Sequence, residues 1–223
     1  MGLFSLDRWM LRTIRDRLLA ARTDPARYVG DVFEEEPPEV QAEVRAWLGA
    51  QEFSTDAKAH EKDTVTIIPG WPLLDVPPPQ VAVALLAESP SEWGLGEAAG
   101  DATPVYAVGA GEGDPPVAWD REHGYRAMTN VAAQITASSW DETHWLSSLC
   151  HWAVLDQIMD LAALGVSEVS VSLNDLRPDL EKLPSLLFAR QLTLTAKVPR
   201  TYRKRIPAYT YQSGVNRALE ELT

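Results

Sequence analysis

Residues 124–137 alternate apolar and polar side chains over about thirteen positions, and this pattern constrains the fold more than any other stretch of the chain. Successive side chains of a β-strand point to opposite faces, so a period of two predicts one strand with an apolar and a polar face. A typical strand has about five or six residues. A strand of this length suits a scaffold or an assembly better than an active site. The apolar positions are Tyr125, Ala127, Val131, Ala133, Ile135 and Ala137, and the polar ones are Arg126, Asn130, Gln134, Thr136 and Ser138.

The region after this strand predicts one long helix and two further strands. Residues 141–164 carry a broad apolar stripe at helical spacing, with the first residue as the N-cap and Gly165 as the residue that ends the helix. Residues 166–173 and 188–198 again alternate apolar and polar side chains. These elements predict an α+β fold, in which a mostly antiparallel sheet carries the long helix on one face.

Three helices are predicted near the N-terminus. Residues 5–22 repeat apolar side chains every fourth position, which is typical of an amphipathic helix. Asp24 followed by proline indicates the start of a second helix over residues 25–33. Residues 38–49 form the third predicted helix, and a glycine closes it. We expect these helices to form a cap or an arm beside the sheet.

Short strands and loops are predicted between these helices and the long strand. Residues 51–63 are polar and predict a loop, whereas residues 64–68 and 80–87 are apolar or alternating and predict strands. Glycine, proline, alanine and acidic residues dominate positions 88–116. This composition predicts a long loop or a lid-like insertion, interrupted by a short strand at 105–108.

By composition the chain divides into three segments. Residues 1–50 are predicted to form an N-terminal helical segment, residues 51–199 an α+β core domain with the glycine- and proline-rich loop at 88–116, and residues 200–223 a basic C-terminal arm. The chain has 223 residues, of which 45% are hydrophobic. This amount of apolar material suffices for one core and a small appendage.

The charge balance and the cysteine content exclude several classes of protein. The net charge is −12, from 32 acidic and 20 basic residues, so nucleic-acid binding is a poor default. The single cysteine, Cys150, excludes an internal disulfide framework and fits a reducing compartment. Charged residues interrupt the N-terminus too early for a signal peptide, and no stretch reaches the roughly eighteen apolar residues of a membrane span. The sequence therefore predicts a soluble, intracellular, acidic protein with no membrane contact.

The residues that most often carry chemistry form no catalytic or metal-binding pattern. His144 and His151 lie seven positions apart on the predicted helix, and the spacing of structural zinc ligands is missing. Cys150 lies on an apolar helix, which favours core packing over a nucleophilic role. The glycine-rich residues 109–113 lack the lysine and the hydroxyl group of a phosphate-binding P-loop. We therefore predict no enzymatic activity, no metal and no cofactor.

One basic and aromatic cluster is the candidate binding feature of the sequence. Such a cluster can bind the phosphates of a nucleic acid and stack on its bases, or it can dock on an acidic protein surface. Because this chain is itself acidic, protein docking is the favoured interpretation. The candidate docking residues are Arg200, Arg203, Lys204, Arg205, Tyr209 and Tyr211.

The order of the predicted elements resembles that of the tail terminator and neck proteins of tailed bacteriophages, which lie between head and tail. The resemblance covers roughly residues 65–198. The loop at 88–116, the N-terminal helices and the basic tail depart from the compact members of that family. The features that carry it are the long strand, a helix of about two dozen residues, the strand at 168–173 leading into Asn-Asp-Leu-Arg-Pro at 174–178, Leu183-Pro184 and the strand at 188–195.

This resemblance implies a structural protein of the virion, assembled in the host cytoplasm. Its partners would be copies of itself in a ring, commonly of six subunits, together with the tail tube or sheath and the neck or connector proteins. Six copies at −12 each would carry −72 formal charges, and an acidic lumen would let DNA pass without specific binding. Two alternatives stay open on the sequence alone: an α+β enzyme of unknown activity, or a monomeric acidic binding module of the immunity type.

Overall fold

The computed structural model of the protein describes residues 4–56, 64–73, 76–98, 103–107, 115–176 and 187–207. The predictions for Tyr209, Tyr211, the Leu183-Pro184 pair and the glycine-rich residues 109–113 lie outside these residues. The described fold is α+β, with a mostly antiparallel mixed sheet, a long helical region packed on it and N-terminal helices. The fold class predicted from the sequence is therefore confirmed.

The described residues contain five helices, and one of them starts with the cap predicted from the sequence. The Asp24 side chain accepts a hydrogen bond from the Arg27 N–H, and Pro25 occupies the first helical position, as predicted. No helix among the described residues combines the length and the apolar content needed to cross a membrane. The helices are α1 Leu6–Thr23, α2 Pro25–Val32, α3 Pro38–Ala50, α4 Trp140–Asp156 and α5 Ile158–Ala163.

The strands form one sheet in the order β1-β2-β3-β5-β7-β6, and β4 pairs with β5 beside this path. The pairs β1/β2 and β2/β3 are parallel, whereas β4/β5 and β6/β7 are antiparallel. The predicted long strand is present, and at 20 residues it is longer than the sequence pattern indicates. The strands are β1 Glu52–Ser54, β2 Thr64–Pro69, β3 Gln80–Ala98, β4 Thr103–Val105, β5 Ala118–Ala137, β6 Ser167–Leu176 and β7 Phe188–Pro207.

The chain separates into two compact units, and the boundary cuts through strands. The core unit comprises the described residues of 4–89 and 128–198. The second unit comprises the described residues of 90–127 and 199–207. Strands β3, β5 and β7 therefore each contribute residues to both units. The N-terminal helices belong to the same unit as the helix-covered sheet, so the units follow a different division from the three sequence segments.

The hydrophobic core of the core unit lies between the helices and one face of the sheet. The buried stripe of α1, which includes Met10 and Ile14, packs in one cluster with Val131 and Ile135 of β5. Helix α1 contacts both α4 and β2. Each large aliphatic side chain buried in this way stabilises the fold by about 1.5–3 kcal/mol. The N-terminal helices are thus part of the core and not an optional arm.

The predicted loop at 88–116 is wrong for its first part, because β3 runs on to Ala98, and the short strand predicted within it at 105–108 is found as β4 at 103–105. Glycine and proline in the sequence indicated a loop, but sheet pairing overrides that local preference. β2 pairs with β3 only as far as Val83, so beyond that point one side of β3 has no partner among the described strands. Proline is tolerated on such an edge because no ladder hydrogen bond is lost, which accommodates Pro90 within the strand.

Three smaller predictions also need correction. The long helix is capped by Ser139 and not by Asp141: the Ser139 hydroxyl oxygen accepts a hydrogen bond from the Glu142 N–H at 3.2 Å. The helix is interrupted by a turn at Gln157, which separates α4 from α5. The predicted loop at 51–63 contains the short strand β1. By contrast, Gly165 has φ +77°, which confirms its predicted left-handed position after the helix.

The core assignment predicts different costs for two truncations on the same helix. Leu146 of α4 is fully buried, whereas Leu155 of α4 is 44% exposed. Leu146→Ala is expected to lower the free energy of unfolding by about 2–5 kcal/mol because it leaves a cavity. Leu155→Ala removes the same atoms near the surface and is expected to cost under about 1 kcal/mol. Urea denaturation of both variants measures the difference, and equal costs would contradict this packing.

Candidate interaction surface

The face of the sheet opposite the core carries small and polar side chains. Along β5 the residues alternate, so Asn130, Gln134 and Thr136 lie on the face away from Val131 and Ile135. The hydroxyl oxygen of Thr136 and Oδ1 of Asn130 are buried without a hydrogen-bond partner among the described residues. Other residues of this second face are Ala82 and Ala84 of β3, Thr193, Thr195 and Lys197 of β7, and Ser170 and Ser172 of β6.

A proline-rich connection lies beside one end of this second face. The Gln80 side chain donates to the carbonyl oxygens of Leu73 and Val76 and accepts from the Leu73 N–H, at 3.2–3.4 Å. Gln80 alternates with Val81, which faces the core, so it lies on the second face. The connection is thereby fixed to β3, and it buries Val76. Trp71 of the same connection is 61% exposed.

A second candidate surface lies where α4 begins, and it is organised by Arg190 of β7. The Arg190 guanidinium donates from Nε to Oδ1 of Asp175 at 2.6 Å and from Nη1 to the Ser147 hydroxyl at 3.3 Å. Nη1 also lies 3.0 Å from Nδ1 of His144. A guanidinium only donates, so Nδ1 must accept, and the neutral imidazole then carries its proton on Nε2. That nitrogen lies 4.0 Å from a carboxylate oxygen of Glu36.

Two exposed aromatic rings lie over this polar cluster. The Arg190 guanidinium carbon lies 4.9 Å from the centroid of the Trp140 ring, within the range of a cation–π interaction. Phe188 meets Trp140 edge to face at 6.3 Å. Trp140 is 47% and Phe188 43% exposed. We call Trp140, Phe188 and the Arg190 beneath Trp140 the aromatic surface.

The chain segments that meet at this cluster carry several carboxylates. The connection between α2 and α3 contributes exposed Glu34 and Glu35 and the half-buried Glu36, and the first turns of α3 and α4 add exposed Glu39 and Asp141. The contact of Glu36 with His144 places this connection against α4. We call these five residues the acidic rim. A tilted contact between the rings of Trp47 and Trp145, with centroids 5.8 Å apart, also holds α3 against α4.

Sequence reasoning missed the Arg190 cluster, although one signal in the sequence could have found it. Arg190 is in phase with Leu192 and Leu194, the core-facing residues of β7. Asp175 is likewise in phase with Leu173 of β6, and the strand register places it directly opposite Arg190. An arginine and an aspartate at core-facing positions of two strands need charged partners, since burial of an unpaired charge is costly. The pairing of those strands could not be read from either one alone.

The four basic docking residues predicted from the sequence lie on one strand. Arg200, Arg203, Lys204 and Arg205 all belong to β7, in the part that falls in the second unit. This part of the predicted arm at 200–223 is therefore a continuation of the sheet. The two predicted tyrosines, Tyr209 and Tyr211, lie outside the described residues. None of the described groups in the aromatic surface was predicted as a docking residue.

The cysteine of α4 and the histidine next to it are shaped by burial. Cys150 is fully buried, and desolvation raises the pKa of its thiol, so the thiolate needed for nucleophilic attack is disfavoured. Burial lowers the pKa of the neighbouring His151. Within the described part of the chain, no three histidine, cysteine or acidic side chains are placed to hold a metal ion. The predicted core role of Cys150 is confirmed.

Comparison with known proteins leaves the function to be argued from the molecule itself. No protein-family model matches the chain, and no curated protein matches it either. Two surfaces bear on function, together with the long strands and the charge distribution. The second face offers small and polar side chains, and the aromatic surface with its acidic rim offers exposed rings beside negative charge. Both are features of binding surfaces.

The environment of His151 predicts a specific dependence of stability on pH. Burial lowers the pKa of His151 in the folded state below its ordinary value of about 6.5, which holds in the unfolded chain. At a pH between these two pKa values, the unfolded chain therefore binds more protons than the folded protein. His151 therefore contributes stability above about pH 6.5 that is lost as the pH falls. His151→Gln is expected to flatten the decline of Tm between about pH 8 and pH 5 relative to the unaltered chain. Parallel Tm profiles for the two proteins would contradict this assignment.

Proposed function

We propose that the protein is a non-enzymatic structural component of a tailed-phage particle that forms a ring at the head–tail junction, as a tail terminator or a neck protein. The observation that carries the proposal is the set of three adjacent strands, β3, β5 and β7, of 19, 20 and 20 residues. The average strand has about five or six residues. Strands of this length exceed what a core of this size needs and provide backbone surface for contacts with other subunits.

The polar second face of the sheet supports an assembly role. Among the described residues of the core unit, the helices pack on one face of the sheet, and the other face of β5, β7 and β6 carries threonine, serine, glutamine and lysine. Interfaces between proteins are, taken whole, about as polar as the remaining surface, so a polar face does not exclude an interface. A small-molecule site would instead require a concave, mostly apolar pocket with a few convergent polar groups.

The element order also supports the resemblance to tail terminator and neck proteins. The structure contains the long strand β5, then 24 residues of helix interrupted at Gln157, then β6 and β7 as an antiparallel pair. These are the elements on which the resemblance rests. The fold alone does not define a function, so the resemblance contributes here as an analogy.

The net charge supports passage of DNA through such a ring. At −12 per chain, a ring would repel phosphates unless cations were concentrated on its inner wall. A channel that DNA must cross quickly needs a wall that repels the phosphates and does not bind them. The proposed partners are further copies of the chain, the tail tube or sheath and the neck or connector proteins, all within the virion.

Native mass spectrometry and negative-stain microscopy of the purified chain test this proposal. We expect closed rings, and cross-linking in purified particles is expected to join the chain to tail or neck proteins. A chain that stays monomeric at high concentration and cross-links to neither would overturn the proposal, as would measurable catalytic turnover. A monomer with turnover would identify an enzyme, and a monomer that captures one partner would identify a binding module.

One pair of variants tests the role of the second face. Thr195 lies half-buried on the second face of β7, whereas Thr23 is exposed at the end of α1. Thr195→Arg introduces a long charged side chain onto the sheet and is expected to lower the ring fraction at least about tenfold, since it would have to be buried on assembly. Thr23→Arg makes the same change on a helix and is expected to leave the ring fraction unchanged. Equal ring fractions in both variants would exclude the second face as an assembly surface.

A further inference from the structure

We propose that the aromatic surface and the acidic rim of one copy bind the basic segment 200–205 of a second copy. This inference rests on the proposed ring and adds the contact that would join its subunits. The two surfaces differ in sequence and in charge, so the contact is heterologous. Heterologous contacts close into rings when the rotation between copies permits it, and otherwise they form filaments.

The acidic rim carries more negative charge than the local structure requires. Glu39 and Asp141 lie in the first turns of α3 and α4, where the helix dipole favours carboxylates. That argument does not extend to Glu34 and Glu35, which precede α3 and are exposed. Glu39 and Glu43 are also like charges four residues apart on α3, an arrangement that destabilises a helix by about 0.2–0.5 kcal/mol. A cationic partner would reduce this repulsion, so its binding would stabilise the surface.

The aromatic surface adds ordered apolar rings to the negatively charged rim. Trp140 is held by the Arg190 guanidinium and by the ring of Phe188, yet both rings remain nearly half exposed. Tryptophan and arginine dominate the energetics of protein interfaces, particularly where their side chains are already ordered before binding. An indole ring also attracts arginine and lysine heads by a cation–π interaction worth about 0.5–2 kcal/mol. A basic partner is therefore favoured over a neutral apolar one.

The chain carries the matching segment itself. Four cations, Arg200, Arg203, Lys204 and Arg205, fall within six residues, which is the densest run of positive charge in the sequence. The structure places these residues in an extended strand, β7. At about 3.3 Å per residue, six residues of strand span roughly 17–20 Å. The segment also includes Tyr202, an aromatic residue that can pack against exposed rings. The segment would thus bring cations to the carboxylates of the rim.

The proposed contact has a defined salt dependence. Ion pairs at the rim of an interface contribute mainly to orientation and to the rate of association, and salt screens them. The Debye length falls from about 10 Å at 0.1 M salt to about 3 Å at 1 M. The ring is therefore expected to dissociate at least partly as NaCl is raised from about 0.05 M to about 1 M.

Charge reversal on each side, and on both, tests the inference. We expect E34K/E35K/E39K and R203E/K204E/R205E each to lower the ring fraction at a fixed concentration by at least about tenfold. The variant that combines all six substitutions again has opposite charges on the two surfaces and the original net charge. We therefore expect it to form rings. D160K reverses one exposed charge on α5 and serves as the control that should assemble normally. Native mass spectrometry measures the ring fraction, and circular dichroism verifies that each variant folds.

Each outcome has a distinct meaning. Rings in all variants would overturn the inference and leave the proposed function standing. Loss of rings in both triples without recovery in the combined variant would also overturn it, because complementary charges would not be the cause. If a triple variant fails to fold, the salt titration of the unaltered protein decides, and a ring indifferent to salt overturns the inference. Absence of rings in the unaltered protein would instead contradict the proposed function.

Discussion

The burial of the α1 and α4 stripes against one face of the sheet is the interaction on which the rest of the structure depends. Residues such as Met10, Leu146 and Ile135 are completely removed from water in a single cluster. That burial supplies the main free energy of folding, since isolated helices and short strand pairs are marginal in water. It also fixes the register of β5, because a shift by one residue would turn Val131 and Ile135 towards the second face.

Because one face of the sheet packs against the core, the alternation of β7 determines the face on which Arg190 lies. It occupies a core-facing position near the start of β7, where the helices no longer provide an apolar cover, and Asp175 lies directly opposite it on β6. His144 and Ser147 of α4 supply the remaining contacts. The end of the core is therefore closed by a charged and hydrogen-bonded cluster instead of by aliphatic packing. This cluster orders Trp140 and produces an exposed aromatic surface at the edge of a buried core.

The sequence predicts most of the fold because the core elements carry strong periodic patterns. The period of two identifies β5 and its C-terminal end, the apolar stripe identifies α1 within one residue at each end, and Gly165 marks the end of the helical region. The second half of β3 was not predictable, because its glycines and Pro90 indicate a loop and only the pairing with a neighbouring strand makes it extended. The candidate site was predictable only in part. The basic run is visible in the sequence, whereas the aromatic surface exists only through the contact of α4 with β7.

The chemistry of the described residues bears on how such a protein can act. Catalysis needs a nucleophile or an acid–base pair with a suitably shifted pKa in a cleft, and here the groups with shifted pKa values are Cys150 and His151, both within α4 and both shifted by burial. Burial moves each group towards its neutral form, which favours packing over proton transfer or attack. Among the described residues of the core unit, the rings of Trp140 and Phe188 and most carboxylates of the acidic rim are exposed, whereas many residues of the second face are buried or half-buried. These rings and carboxylates are the groups on which the proposed contact between copies rests.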